Sequence, residues 1–317
     1  MRKKKKVVCL GGGIGTVNLI RGLRDHVDDI TVVVSMADEG GSSGRLRRLY
    51  KVFPPGDLVS CMASLHRDSS VTKLLTYRFP GDRYGKDTEL AGHKLGNLIM
   101  VALFNQTHNF TKSVEKFQRL FHIKGKFLSA TEGMVSISAR TAEGRQILGE
   151  ENIDLGRYGG KRVLDQVFLH PKNARASSEV VSELLAADAI IAGPGDLYTT
   201  LLPVLIVPNI KSTIKKSKAA KVFVVNIANK PFETKGYSLA NYVRAVKKHL
   251  GFFPFDTIIM NKSFETPIPK KLSYQYVPYK KESELFEVFV VAADLVDVSF
   301  PIYHSPQKLA KVLLKYL

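Results

Sequence analysis

A glycine-rich loop near the N-terminus is the first segment whose residues could do chemistry. An apolar run at residues 7–10 ends at Gly11-Gly12-Gly13-Ile14-Gly15-Thr16, where a helical pattern begins. Glycine lets the backbone approach a phosphate closely, and a helix N-terminus offers free N–H groups and the positive end of a dipole. The loop fits G-x-G-x-x-G in no register and lacks the Lys-Ser/Thr of a P-loop. We predict phosphate contacts from Gly11, Gly12, Gly13, Gly15 and Thr16; a tight turn without a ligand is the alternative.

A second loop combines two acids with glycines, serines and arginines. Its sequence is Ala37-Asp38-Glu39-Gly40-Gly41-Ser42-Ser43-Gly44-Arg45. Asp38 stands where a dinucleotide-binding fold places its ribose-binding acid, about 20 residues beyond the glycine loop. The loop offers N–H and hydroxyl groups from Gly40, Gly41, Ser42 and Ser43, and Arg45 could clamp a phosphate through paired hydrogen bonds, as could Arg47 and Arg48. In the alternative interpretation, Ser42 or Ser43 caps a helix and the arginines are solvated.

Two further loops carry an acid and a basic cluster. The first is Phe53-Pro54-Pro55-Gly56-Asp57, a rigid turn whose acid could hold Mg²⁺ or a hydroxyl group. The second, Gly92-His93-Lys94-Leu95-Gly96-Asn97, opens an apolar helix. His93, Lys94 and Asn97 would then lie at a helix N-terminus, which suits an anion. A plain turn at Asp57 and a structural role for His93 are the alternatives.

Two more apolar runs end in polar loops, Ala192-Gly193-Pro194-Gly195-Asp196-Leu197-Tyr198 and Asn226-Ile227-Ala228-Asn229-Lys230. The candidate ligand contacts in them are Gly193, Gly195, Asp196, Tyr198, Asn226 and Asn229, with turn chemistry as the alternative. Ligands of open α/β sheets bind outside the carboxyl ends of the strands. One shared crevice explains all these strand ends with fewer assumptions than independent turns do.

Short apolar runs and helical patterns alternate along the chain and must position these loops. We predict strands at residues 7–10, 30–35, 189–192, 222–227 and 257–260, and helices at 16–23, 96–104, 178–187, 237–249 and from Ser305-Pro306 onward. Runs rich in Val, Ile and Leu are typical of strands that are buried on both faces of a parallel sheet. The pattern predicts an α/β, Rossmann-like fold with a mostly parallel sheet and helices on both faces.

The segment 120–173 has a different pattern, in which apolar and polar residues alternate between turn residues. Such alternation predicts antiparallel strands. We therefore expect a β-rich insertion at 120–173 within a nucleotide-binding core at 1–262, followed by a C-terminal extension at 263–317.

Charge and composition bound the class of partner. The chain has 317 residues and a formal net charge of +18, which favours anionic partners such as phosphorylated metabolites. The lysines are scattered and no nucleic-acid-binding motif is present, so we rank nucleic acid below a small ligand. No apolar run is long enough for a membrane span, and the one after the basic N-terminus is too short for a secretory signal. Two cysteines offer no disulfide framework, which fits a cytoplasmic location. The sequence is compatible with a homo-oligomer and does not define the oligomeric state.

Taken together, the loops resemble those of one family, the gluconeogenesis-factor (YvcK-type) branch of the CofD-like, or 2-phospho-L-lactate transferase-like, superfamily. Besides the first two loops, the matching segments are Pro54-Pro55-Gly56-Asp57, Gly92-His93-Lys94-Leu95-Gly96-Asn97-Leu98, Gly193-Pro194-Gly195-Asp196-Leu197-Tyr198-Thr199 and Glu233-Thr234-Lys235-Gly236-Tyr237-Ser238. The order of the segments and the chain length fit as well, so the resemblance covers nearly the whole chain.

The resemblance implies a Rossmann-like cytoplasmic protein. The gluconeogenesis-factor branch implies binding of UDP-type nucleotide sugars, with a role in carbon metabolism, cell-wall synthesis and cell shape. The transferase branch implies transfer of a phospholactyl group from a guanylyl-linked donor to a deazaflavin alcohol, with Mg²⁺. The loop at residues 38–44 is closer to the first branch.

The chain departs from the family pattern at several positions. It has Asp38-Glu39 where the family usually has two aspartates, and Ile14 where Thr is common. Lys94 and Asp196 replace Ser, and Lys230-Pro231-Phe232 replaces Gln-Pro-Gly. Lys94 adds a cation and Asp196 adds an anion to the expected site.

Three functional hypotheses follow. The first is a nucleotide-sugar-binding regulatory protein without turnover, in which glycines contact the phosphates, Asp38 and Asn229 contact hydroxyl groups, and Arg45 or Lys94 neutralises the diphosphate. The second is a transferase in which Asp38, Glu39 or Asp57 holds Mg²⁺, the one cofactor that the sequence suggests. The third is a nucleic-acid-binding protein, for which net charge is the only argument.

Overall fold

A parallel sheet lies at the centre of the computed structural model, which describes residues 5–160, 163–279 and 288–317. The start of the basic N-terminal run, residues 1–4, lies outside the described residues. The strands are β1 (Lys6–Leu10), β2 (Asp29–Val34), β3 (Lys126–Ser129), β4 (Ser136–Thr141), β5 (Gln146–Leu148), β6 (Leu164–His170), β7 (Ala189–Ala192), β8 (Ala220–Val224), β9 (Ala228–Asn229), β10 (Thr257–Asn261), β11 (Gln275–Tyr276) and β12 (Phe289–Ala293).

Helices surround the sheet. They are α1 (Gly13–Leu23), α2 (Gly41–Tyr50), α3 (Gly56–Leu65), α4 (Ser69–Thr76), α5 (Leu95–Thr107), α6 (Phe110–Leu120), α7 (Glu150–Asp154), α8 (Ser178–Ala186), α9 (Leu202–Leu205), α10 (Pro208–Lys216), α11 (Leu239–Leu250) and α12 (Pro306–Leu313). A π-helical turn, Leu197–Leu201, precedes α9. The five predicted helices correspond to α1, α5, α8, α11 and α12.

The central sheet has the strand order β12-β10-β8-β7-β1-β2-β3, and all of its neighbouring strands are parallel. The five predicted strands correspond to β1, β2, β7, β8 and β10. Strand β8 ends at Val224, three residues before its predicted end at Ile227. Val7, Val8 and Cys9 in β1 are fully buried, as expected for an inner strand of a sheet that is covered on both faces. The Rossmann-like fold is confirmed.

The two edge strands come from segments that the sequence analysis assigned to the β-rich insertion and to the C-terminal extension. Strand β3 lies within residues 120–173, but it pairs with β2 through Val32 and Phe127. Strand β12 lies within residues 263–317, but it pairs with β10 through Ile259 and Val291. The C-terminal segment is therefore part of the central sheet and not only an extension of it. Edge strands are less buried than central ones, which weakens their apolar signal; β12 has no fully buried residue.

The predicted antiparallel insertion is present as a second, smaller sheet. Strand β4 lies between β5 and β6 and is antiparallel to both. Helix α7 follows β5, packs against β4, β5 and the π-helical turn that precedes α9, and buries Ile153 fully. The insertion therefore adds a wall beside the loops that follow β2 and β7.

Helix α1 is the element that joins the N-terminal loop to the rest of the core. It buries Leu19, Ile20 and Leu23 and packs against α3 and α12. A Cβ atom on Gly22 would lie 2.3 Å from the carbonyl oxygen of Pro306, so glycine permits the close approach of α12. Helix α12 begins with the predicted cap, because the side chain of Ser305 accepts a hydrogen bond from the N–H of Lys308.

Among the described residues, no single helix combines the length and the apolar composition that a membrane span requires. One bent pair, Leu197–Leu205 with Pro208–Lys216 at 71°, meets those two criteria together.

Candidate functional site

A cavity of about 620 Å³ opens at the carboxyl ends of β1, β2, β7 and β8. After β1 the chain turns to β2 on one side, and β7 and β8 lie on the other side. The connections that follow β1 and β7 therefore run to opposite sides, which marks the switch point where open α/β sheets bind ligands. Predicted contacts that line the cavity are Gly12, Gly13, Gly15, Asp38, Gly40, Ser42, Ser43, Asp57, Lys94, Asn97, Gly195, Asp196 and Asn226.

The loop after β1 needs glycine for close approach on two sides. A Cβ atom on Gly12 would lie 2.2 Å from Asp57 Oδ2, and one on Gly15 would lie 2.4 Å from the carbonyl oxygen of Pro194. Gly13 has a φ angle of 67° and open space where a side chain would be. Gly11 and Thr16 lie behind this surface, with Thr16 Oγ1 donating to Pro194 over 3.4 Å. The backbone of Gly12 to Gly15 is thus exposed to the cavity at the start of α1.

The loop after β7 forms the opposite wall of the switch point. The N–H of Gly195 donates to Asn226 Oδ1 at 3.0 Å, which ties this loop to the end of β8. Gly193 lies behind the wall, since a Cβ atom there would lie 2.6 Å from the carbonyl oxygen of Val224. Tyr198 is buried below the cavity, where its hydroxyl group contacts that of Tyr237 at 2.7 Å.

The loop after β2 places Asp38 and Ser42 on the cavity surface. The carboxylate of Asp38 accepts a hydrogen bond from the N–H of Gly40 at 3.0 Å and another from Ser43. Gly40 is the N-cap of α2, so neither Ser42 nor Ser43 caps this helix. Gly41 does not line the cavity, because the guanidinium group of Arg83 covers it; a Cβ atom on Gly41 would lie 2.6 Å from Arg83 Nε.

Asp57 lies beneath the glycine loop, where the negative charge of Asp38 acts on it. Burial raises the pKa of Asp57 to about 7, and the negative charge of Asp38 adds to this shift. The ammonium group of Lys94 and the N–H of Gly13 oppose the shift. Burial also raises the pKa of Asp38 and lowers that of Lys94, whose Nζ atom donates to Ser60 Oγ at 2.8 Å. A cation is the natural partner of this carboxylate pair.

Ser42 and His93 form a hydrogen-bonded pair. Ser42 Oγ lies 2.9 Å from His93 Nδ1, and the second ring nitrogen donates to the carbonyl group of Glu89. Burial lowers the pKa of His93, and the cations Arg45 and Arg78 lower it further, so the ring is neutral and Nδ1 accepts the Ser42 proton. His93 is 2% exposed and lies behind Ser42. A hydroxyl group with a neutral, oriented imidazole is the arrangement that activates a serine.

Arg45 does not face the cavity. It is 1% exposed, and its guanidinium group donates to carbonyl groups of Asp82, Lys86, Glu89 and Ala91 in the loop before α5. The sequence presented Arg45 as an anion ligand, but its position in α2 directs it under this loop. A buried arginine and a solvated one look the same in a sequence, because only the tertiary contacts distinguish them.

The other charged residues of the α2 loop are also committed to protein contacts. Arg47 donates to the carbonyl group of Val135 at 2.7 Å, and Arg48 pairs with Asp87 at 2.9 Å. The carboxylate of Glu39 accepts a hydrogen bond from the N–H of Glu150 at 3.1 Å, so it links the loop to α7. Of the three acids predicted to hold a metal, Asp38 and Asp57 line the cavity and Glu39 does not.

A lysine that the sequence analysis did not select lies on the opposite wall. The ammonium group of Lys230 donates to Asp154, to Asp196 at 2.6 Å and to Glu233 at 2.9 Å. Burial lowers the pKa of Lys230, but the three carboxylates together outweigh burial and raise it well above its ordinary value. Asn229 lies behind this cluster, where its Nδ2 atom donates to the carbonyl group of Tyr237 at 2.7 Å.

Two further groups of cavity residues were missed by sequence reasoning. At the mouth, Arg78 and Arg83 come from the exposed loop between α4 and α5. At the β8 end, the lining includes Asn18, Tyr274, Tyr303 and His304, most of them from the C-terminal segment. No local motif marks these residues, and only their juxtaposition in the fold reveals them.

The chain is similar to one protein family and to several of its members. The family model for 2-phospho-L-lactate transferase CofD matches residues 7–295. The chain is 38% identical to the gluconeogenesis factor of Bacillus subtilis over 276 residues, which cover 87% of this chain and 84% of that protein. It is 35% identical to the gluconeogenesis factor of Halalkalibacterium halodurans over 280 residues, with 88% and 84% coverage.

A solved structure is also similar. The crystal structure of a UPF0052-family protein from Bacillus halodurans superposes with a TM-score of 0.89 at 30% sequence identity. The superposition covers 99% of this chain and all of that one. The edge strands β3 and β12 and the walls of the cavity lie within the superposed length.

Proposed function

The chain belongs to the CofD family, and we propose that it binds a UDP-type nucleotide sugar and acts in the regulation of carbon metabolism, cell-wall synthesis and cell shape. One observation carries the proposal: two glycine loops meet at the switch point of the sheet, where Gly15 packs directly on Pro194. The N-terminus of α1 lies there with the positive end of its dipole, which favours a diphosphate, although the N–H of Gly13 contacts Asp57.

Positive groups flank this central position. Lys94 lines the cavity from the start of α5, and Arg78 and Arg83 line it from the loop above. Arginine pairs well with phosphate oxygens, and a lysine adds a point charge. The phosphates of the ligand would therefore lie over Gly12 and Gly13, between these three cations.

The two ends of the cavity carry polar groups that suit the nucleoside and the sugar, the uncharged ends of a nucleotide sugar. The β2 end carries Asp38, Ser42 and Asn97, and the β8 end carries Asn226 and Tyr303. Asn97 is 1% exposed, and its Oδ1 atom has no hydrogen-bond partner among the described residues. Polar groups on both sides of a phosphate position favour a ligand with hydrogen-bonding groups at each end, as a nucleoside diphosphate sugar has. A cavity of about 620 Å³ is large enough for it.

Calorimetry tests the binding proposal. UDP-glucose and UDP-N-acetylglucosamine are titrated against the wild-type protein and against Lys94→Gln, which removes one cation without changing the length of the side chain greatly. We expect a one-to-one complex with the wild type and a weaker one with the variant. No heat of binding from any UDP-sugar would refute the proposal.

The physiological role has its own test. The relatives named gluconeogenesis factor support a role in gluconeogenic growth, which we expect to take place in the cytoplasm. Expression of this chain in a Bacillus subtilis strain that lacks its own gluconeogenesis factor should restore growth and cell shape on a gluconeogenic carbon source. A variant that folds but does not bind UDP-sugars serves as the control. Equal rescue by this variant would mean that the physiological role does not require binding of UDP-sugars.

Transferase activity is a second candidate, which two observations favour. Asp38 and Asp57 both line the cavity, and their carboxylate oxygens are ligands that fit Mg²⁺; bound there, the ion would stabilise charge on a leaving phosphate. The Ser42–His93 pair could accept a proton during transfer. Metal-dependent consumption of a nucleoside diphosphate donor, lost in Asp38→Asn, would support this candidate over binding alone.

A further inference from the structure

The β8 end of the cavity contains a buried nitrogen atom that lacks a partner among the described residues. His304 lies between β12 and α12, lines the cavity and is 2% exposed. Its Nε2 atom is shielded from solvent and forms no hydrogen bond with the described part of the chain. Buried polar atoms are rarely left without a partner, because the lost hydrogen bond to water is not replaced. The atom therefore needs a hydrogen-bonding partner from outside the described residues, and a group of a bound ligand can provide it.

The protonation state of His304 determines what that ligand must offer. Burial lowers the pKa of His304 to about 3, so the ring is neutral at any physiological pH. The other ring nitrogen bonds to the carbonyl group of Val225, just after β8, and must carry the single proton. Nε2 then has a lone pair and no proton. It can accept a hydrogen bond but cannot donate one.

The backbone around His304 holds the ring in place. Asn18 Nδ2 donates to the carbonyl oxygen of His304 at 3.0 Å, which joins this loop to α1. His304 forms an antiparallel bridge with Val296, and the N–H of Ser305 donates to Leu295 at 2.8 Å. Because the position of the ring is defined from three sides, its lone pair can discriminate between ligands instead of adapting to them.

The walls beside His304 suit an uncharged group. Tyr274 and Tyr303 contribute aromatic rings, and Ile227 and Ile302 contribute apolar surface. Burial raises the pKa of both tyrosines, to about 12 for Tyr274, so their hydroxyl groups are neutral. The charges of Asp196 and Lys230 also act on both tyrosines, but these two groups are paired with each other at 2.6 Å.

We propose that His304 is a specificity-determining residue of the cavity, whose Nε2 atom accepts a hydrogen bond from an N–H or O–H group at the uncharged end of a nucleotide ligand. This inference rests on the proposed nucleotide-sugar binding and assigns a selective contact within it. The donor can be the ring N–H of a base such as uracil or a hydroxyl group of the sugar. A base with an unprotonated ring nitrogen at the same place would direct its own lone pair at the lone pair of Nε2, and the two would repel each other.

Calorimetry with UDP and CDP tests the base as the source, because uracil has a ring N–H where cytosine has an unprotonated nitrogen. UDP-glucose and its deoxy analogues test the sugar. We expect about a 10-fold or greater difference in Kd within one of the two series, since a site that requires a donor rejects a ligand without it. His304→Phe should abolish that difference, and His304→Gln, which keeps an acceptor oxygen, should retain part of it.

A measurement on the wild-type protein avoids dependence on the folding of the variants. In protein labelled with ¹⁵N-histidine, the Nε2 resonance of His304 should shift on addition of UDP-glucose and not on addition of inorganic diphosphate. No discrimination in either series, or unchanged discrimination in a folded His304→Phe protein, would overturn the inference while UDP-sugar binding stands. No binding of any nucleotide or UDP-sugar to the wild type would remove both proposals together.

Discussion

The ammonium group of Lys230 lies 2.6 Å from Asp196 Oδ2, so two positions at which the chain departs from the family pattern contact each other. The same ammonium group contacts Asp154 on α7 and Glu233 after β9. Lys230 therefore connects the insertion, the loop after β7 and the segment after β8. A lysine or an aspartate alone at these positions would leave a charge without its main partner.

The Lys230 cluster gives the first prediction, which concerns stability. Lys230→Gln leaves three carboxylates without their cation, and we expect the free energy of unfolding to fall by about 3–5 kcal/mol. Asp196 is more exposed, so Asp196→Ser alone should cost only about 1 kcal/mol. The double variant should be more stable than the sum of the single effects predicts, because the second change removes one of the unpaired charges. Denaturant unfolding of the four proteins measures this coupling, and additive effects would contradict it.

The glycine loop gives the second prediction, which concerns the position of the phosphates. Gly13 has a φ angle of 67°, where asparagine and aspartate are tolerated, and a Cβ atom added there would have no other atom within 4 Å. Gly13→Asn and Gly13→Asp introduce side chains of the same shape, so their comparison isolates charge. We expect Gly13→Asp to bind UDP-sugars about 10- to 100-fold more weakly than Gly13→Asn, as a nearby like charge requires. Equal Kd values by calorimetry would place the phosphates elsewhere.

Asp57 gives the third prediction, which concerns the pH dependence of binding. Its pKa of about 7 means that the carboxyl group is neutral below pH 7 and negative above it. The diphosphate of a nucleotide sugar keeps its charge over this range, so its affinity should rise as the pH falls from 8 to 6. Asp57→Asn should bind with little pH dependence. The opposite trend, with binding that weakens at low pH and requires Mg²⁺, would favour the transferase hypothesis, because a protonated Asp57 cannot hold the metal.

The same residue gives a fourth prediction, on stability against pH. The pKa of Asp57 is raised in the folded state, so folding favours its protonated form. The stability that the protonated form provides is fully present below the unfolded pKa of 3.8 and is lost as the pH rises to the folded pKa of about 7. Asp57→Asn should be more stable than the wild type by about 1–3 kcal/mol at pH 8, since partial exposure of the group reduces the full effect of the shift. The stabilities of the two proteins should converge below pH 3.8 in denaturant unfolding.

The loops at the switch point could be predicted from the sequence because glycine and proline leave a local signal. Gly12, Gly13 and Gly195 are recognisable next to apolar runs, and the structure places all three on the cavity surface. His304 could not be found in this way. It reaches the site through the pairing of β12 with β10 and the contact with Asn18, which is separated from it by 286 positions.

Residue type also cannot distinguish a ligand contact from a structural one. Asn226 and Asn229 are three positions apart after β8, but Asn226 lines the cavity and Asn229 bonds to Tyr237 behind it. The direction of the chain after a strand decides between the two outcomes, and β8 ends earlier than its apolar run does. Strand ends are set by the neighbouring strands, so this part of the site depends on the complete sheet.

Arg45 gives the fifth prediction, on the loop that carries Arg78 and Arg83. Its guanidinium group donates to carbonyl groups of that loop, including Ala91 at 2.7 Å. Arg45→Lys keeps the charge but loses the planar array of donors, so the carbonyl groups cannot all be satisfied. Hydrogen exchange of the amides at residues 82–91 should become faster, and UDP-sugar affinity should fall because the two mouth arginines are less well positioned. Arg48→Lys, which changes an exposed pair with Asp87, is the matched control and should alter neither measurement by much. Equal exchange rates in the two variants would mean that the loop is held by its own contacts and that Arg45 has no part in positioning the cations.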